Sequence, residues 1–182
     1  MSFTIDADTA GLESYLDELG EGAEAAVRPA AQAGAQVLYE QVQRNVAGLG
    51  RRTGKLAASI YQAYSASKSG DGKATYDVSW NHRKAPHGHL VEYGYLQRYV
   101  YRPDGMGPVV RPGMDGNPRP GRRATREQKD AYYVTLPAPR IVPGKAFVRG
   151  AASVMDAAYK AAEAEMRRRV AQKGAACAWK KI

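Results

Sequence analysis

Three histidines fall close together in the chain, His82, His87 and His89, with Glu92 three residues further on. Imidazoles and a carboxylate at such short spacing have the chemistry to hold zinc or to assist a nuclease. The spacing matches no HExxH pattern, however, and Asp77, the nearest acid upstream, stands alone. Histidines exposed on a loop are the default for this pattern. Cys177 lies in an Ala-rich tail near Trp179 with no base beside it, which makes it a poor nucleophile. Acids are dense only in the first 24 residues, as on a solvated helix. The phosphate-binding pattern GxxxxGK[ST] does not occur, and the GDGK of residues 70–73 has no helix pattern behind it. No catalytic constellation emerges, so the chain reads as a non-enzyme with no metal or cofactor.

Basic and aromatic residues interleave in QRYVYRP (97–103) and in PRPGRRATREQKDAYY (118–133). Such mixtures contact phosphates and stack bases. No reading helix, zinc knuckle or RNP-type aromatic pattern accompanies them. A basic segment serves equally well to grip an acidic protein. The net charge of +9 is unevenly placed: residues 1–30 hold seven acids and one base, and residues 96–145 hold ten bases and four acids. An acidic start and a basic later half permit a head-to-tail fit between copies.

A chain of 182 residues suggests one domain, or one domain with a long insertion. No apolar run approaches the roughly 20 residues that span a bilayer. The acidic start, MSFTIDADTAGLESYLDEL, does not resemble a secretory signal. A single cysteine fits a reducing compartment. These features describe a soluble, basic protein made inside a cell.

The elements follow from periodicity. Residues 9–19 predict a short helix, capped by Thr9 and ended by Gly20 and Gly22. Val27, Ala31, Ala35, Leu38, Val42, Val46 and Leu49 trace a long Ala-rich helix, with Pro29 in its first turn or kinking it. Ser59–Ser65 and Ala74–Trp80 predict an antiparallel hairpin around SASKSGDGK. Tyr95–Tyr101 and Ala131–Leu136 predict two strands of a projecting arm with a flexible, Pro/Gly-rich basic tip. Val148, Ala151, Met155, Ala158, Ala162, Met166 and Val170 trace a second long helix opening near Pro143. The expected fold is α+β: two long Ala-rich helices on a small antiparallel sheet, formed by residues 1–94 and 143–182, with an inserted β-arm at 95–142.

Three stretches carry a family resemblance: RTGKLAASI (52–60), HLVEYGY (89–95) and VPGKAFVRGA (142–151). In this order the chain resembles the neck or tail-completion proteins of long-tailed bacteriophages, the group of the minor tail protein Z of phage lambda. The matching positions are Thr53, Gly54, Leu56, Ser59 and Ile60; Val91, Glu92, Tyr93 and Gly94; Pro143 and Phe147. Structural roles suit them all. Gly54 and Gly94 supply turns, Leu56 and Ile60 enter the core, Glu92 pairs with an arginine, and Phe147 anchors the last helix. The segment between Gly94 and Pro143 is longer than the family pattern.

The resemblance implies a virion protein assembled in the host cytoplasm, forming a sixfold or twelvefold ring at the head–tail junction. Its partners would be further copies, head–tail connector proteins and a tail terminator or tail tube protein, with genomic DNA a candidate occupant of the lumen and no membrane. Arg119, Arg122, Arg123 and Arg126 are the candidate contacts to a neighbouring subunit, facing an acidic segment such as Asp6–Glu24. Two alternatives stay open from the residues themselves: a basic nucleic-acid-binding accessory protein, and a metal-dependent nuclease built on the histidines.

Overall fold

The computed structural model describes residues 10–50, 53–70, 72–103 and 107–179, with side chains from residue 16 to 174. Thr9 and Asp6 lie outside the described residues, as do the side chains of Leu12, Tyr15 and Cys177. The chain is α+β, and it divides into two compact units: residues 1–88 with 146–182, and residues 89–145.

In the first unit, helix α1 (Ala10–Ala47) packs on helix α4 (Met155–Trp179). Its buried ridge is Gly22, Ala26, Ala30, Gly34, Val42 and Val46, positions spaced by four or eight residues. Such i, i+4 rows are the ridges by which helices interdigitate. A Cβ added to Gly22 would lie 3.2 Å from Lys173 Cβ, and one on Gly34 would lie 3.0 Å from the Ala158 carbonyl oxygen. Positions rising along α1 thus meet positions falling along α4, and the pair is antiparallel. Small side chains bring the two backbones close.

This overturns two expectations. Gly20 and Gly22 do not interrupt the first helix, because packing against α4 outweighs a glycine cost of about 1 kcal/mol. Pro29 also lies inside the continuous α1. Over the first half of the helix the buried row sits one residue before the anticipated one, at Ala26 and Ala30 rather than Val27 and Ala31, which are half-buried. Periodicity favoured the bulkier valine; close helix contact selects the smaller residues.

A two-stranded antiparallel sheet, β1 (Ile60–Tyr64) and β2 (Tyr76–Trp80), lies against α1. Ile60 pairs with Trp80 and Tyr64 with Tyr76. Trp80 meets Phe147 edge-on at 5.4 Å between centroids, and Phe147 is 1% exposed. Asn45 Nδ2 donates to the Phe147 carbonyl at 2.9 Å, tying the entry to the last helix onto α1. A 3-10 turn, Arg149–Val154, precedes α4, so that helix begins later than its apolar pattern suggested.

The second unit holds helix α2 (Gly88–Tyr93) from its second residue on, strands β3 (Gly94–Tyr99) and β4 (Thr135–Pro143), and helix α3 (Arg126–Tyr132). The β3–β4 ribbon is antiparallel, with Gly94 opposite Pro143 and Leu96 opposite Ile141. The expected strand at Ala131–Leu136 is corrected: Ala131 and Tyr132 end α3, and the strand starts at Thr135. A capping box explains the helix, since Thr125 and Gln128 bond each other's backbone N–H groups. Nor is the anticipated tip a plain flexible loop. Val109 N–H bonds the Val100 carbonyl, Val134 N–H bonds the Val109 carbonyl, and Arg111 N–H bonds the Tyr132 carbonyl.

Candidate functional site

The three motifs of the resemblance come together in two clusters, one in each unit. In the first, Gly54 adopts φ +71°, and its carbonyl accepts the Ala58 N–H at 3.0 Å. Thr53 is exposed, with its hydroxyl 3.4 Å from Lys55 N. Ser59 is buried and donates its hydroxyl to the Leu56 carbonyl at 2.7 Å. Leu56 itself is half-buried rather than a core residue, because the 3-10 turn Ala57–Ser59 turns Ser59 and Ile60 inward instead. Ile60 and Phe147 meet the chain on the same element, β2, through Trp80.

The second cluster joins VEYG to VPGK. Lys145 N–H donates to the Val91 carbonyl at 2.7 Å, and Gly94 sits opposite Pro143 at φ +84°. Glu92 is 1% exposed, whereas Tyr93 is 65% exposed. Backbone approaches so closely here that a Cβ on Gly94 or Gly144 would collide with main-chain atoms of the other segment.

Of the four candidate contact arginines, the structure engages one. Arg119 Nε donates to the Tyr133 hydroxyl at 2.8 Å. Arg122, Arg123 and Arg126 are exposed and make no side-chain hydrogen bond or ion pair among the described residues. Sequence reasoning missed the anchor of this unit, Asp130. Its carboxylate accepts both Arg98 nitrogens, at 2.9 and 3.1 Å, and the Tyr99 hydroxyl at 2.8 Å. These donors hold the Asp130 carboxyl below its ordinary range, Arg98 first and Tyr99 second. The spacing of Arg98 and Asp130, 32 residues apart, carries no local signal. Gln97 is buried and bonded to Arg140 and to the Tyr99 carbonyl, while its strand neighbour Leu96 faces outward.

His82, His87 and His89 are exposed. Among the described residues, no three His, Cys, Asp or Glu converge where a metal ion could be held. No described helix is long and apolar enough to cross a membrane.

An Ala/Gly-seamed helix pair and short sheets place motif residues such as Gly54, Gly94 and Phe147 in turns and packing. Residues 10–94 match the HK97-gp10-like family model, described as "Bacteriophage HK97-gp10, putative tail-component". This stretch contains RTGKLAASI and the VEYG of the second motif, which agrees with the resemblance to phage tail proteins there. The matched segment is similar to a phage tail component. No curated protein and no solved structure matches the chain significantly.

Proposed function

We propose that the chain is a structural ring component of the phage neck, completing the tail so that it joins the filled head, with no chemistry of its own. The observation that carries this reading is the tail-component match over residues 10–94. The architecture supports it. Small residues along the α1–α4 seam build a stiff two-helix body, and the second unit offers three unengaged arginines for neighbours. Residues 95–142 are the segment proposed to grip adjacent subunits or rings. Connector proteins would lie on one side, and a tail terminator or tube protein on the other. The test is an amber mutation in the gene, examined by electron microscopy. Separate heads and tails, rejoined on adding purified protein, are expected. Normal joined particles would overturn the reading. Mass measurement of the assembled protein distinguishes a hexamer from a dodecamer.

A second reading, a nucleic-acid-binding accessory protein, draws on the same three exposed arginines. It predicts micromolar or tighter binding to DNA near physiological salt, weakening steeply as salt rises. A ring component needs no such affinity in isolation.

A further inference from the structure

The β3–β4 ribbon is patterned inside out. Its buried position carries the polar Gln97, 6% exposed, while Leu96 is 64% and its cross-strand partner Ile141 81% exposed. Pro143, two residues on from Ile141, shares the outward face by the two-residue period of the strand and is exposed. A solvated ribbon places its polar side outward; an apolar outward face marks a surface meant to be covered.

We propose that this face seats the Leu16–Glu24 stretch of α1 from a second copy of the chain, which is the subunit contact of the ring and so rests on the reading above. Charge selects the occupant. On α1, Asp17, Glu18, Glu21 and Glu24 are all exposed and make no ion pair among the described residues, and Leu16 beside them is 56% exposed. The ribbon has the opposite character. Arg98, two residues on from Leu96, grips Asp130, and Arg126 lies one helical turn before Asp130 on α3. The free arginine of α3 thus lies on the same unit as the apolar pair, linked to it through the Arg98–Asp130 pair, just as the acids of α1 follow Leu16 on one helix. An apolar knob followed by acids faces an apolar pair followed by cations. The two patches differ, so the contact is head-to-tail, and repeating it closes a ring or extends a filament.

The test uses full-length protein and two charge sets. Asp17→Arg, Glu21→Arg and Glu24→Arg together form one set; Arg122→Glu, Arg123→Glu and Arg126→Glu form the other. Each set alone should raise the concentration for half-assembly roughly tenfold or more, read by light scattering, and an equal mixture of the two should restore assembly. Ile141→Asp should do the same as either single set while leaving the thermal melt unchanged, because the side chain is exposed. In particles, Leu16→Cys with Ile141→Cys, in a Cys177→Ala background, should oxidise to a ladder in multiples of the 19.7 kDa chain. Assembly unaffected by either charge set, or no rescue on mixing, overturns the proposal. So does an Ile141→Asp variant that assembles normally but fails to join other tail proteins. Particles that contain the chain but give no ladder refute the contact alone, whereas joined particles lacking the chain refute the neck reading.

Discussion

Gly94 satisfies two demands at once: a left-handed backbone, φ +84°, and room for Val142 and Gly144 at van der Waals contact. Alanine there should cost roughly 2–4 kcal/mol, since strain and a main-chain collision combine. Gly113, at φ +86° with nothing within 4 Å, offers the control. Its alanine variant carries only the strain of about 1–2 kcal/mol. Denaturant midpoints for the two variants separate close packing from backbone conformation, and equal losses would show that no collision occurs. Asp130 illustrates a different dependence on residues. Its hydrogen bonds to Arg98 and Tyr99 join positions that no local pattern links, and they decide where α3 sits on the ribbon. Asp130→Asn should therefore loosen the second unit, read as faster amide exchange in β3, with Arg119→Ala giving a smaller change.

At the scale of elements, α1 stays continuous through Gly20, Gly22 and Pro29 by its seam with α4 rather than by its own propensity. Gly34→Leu should lower stability by about 1–3 kcal/mol, because its Cβ alone would lie 3.0 Å from the Ala158 carbonyl oxygen. Gly20→Ala should raise stability by about 0.5–1 kcal/mol, for it meets nothing within 4 Å and gains helix propensity. Thermal melts check both signs. On α4, Glu165 accepts from Arg168 and Arg169, which hold its carboxyl at about 2 against the ordinary 4.5. A depressed folded-state value stabilises above the unfolded one. The contribution is therefore complete above about pH 4.5 and is lost as pH falls toward about 2. Glu165→Gln should flatten the melting temperature across that window. The exposed setting of the cluster keeps the effect small and sensitive to salt.

For the whole molecule, the reading as a ring component predicts that the isolated protein binds DNA weakly at 150 mM salt, that is, more loosely than the micromolar level expected of a free binder. Tight binding, retained when Arg122, Arg123 and Arg126 are intact and lost on their reversal while particles still assemble, would favour the accessory-protein reading instead. Much of the architecture was legible beforehand. Periodicities of 3.6 and 2 located much of the long helices and the β1–β2 hairpin, and of the motif residues Gly54 and Gly94 have positive φ and Phe147 is buried. These are local properties, written in side-chain spacing and backbone freedom. What sequence alone determined was therefore where the strongly periodic segments lie, the cores of the long helices and the β1–β2 hairpin, but not all of their ends. Only tertiary structure decided that Gly22 and Gly34 belong inside a continuous helix, because their value lies in the approach of α4. Only it revealed that Leu96 and Ile141 face outward while Gln97 is buried, because the covered side of a ribbon depends on which segments fold onto it. Contacts between residues distant in the chain, such as Arg98 with Asp130, leave no period to read; they exist only once folding has brought their elements together.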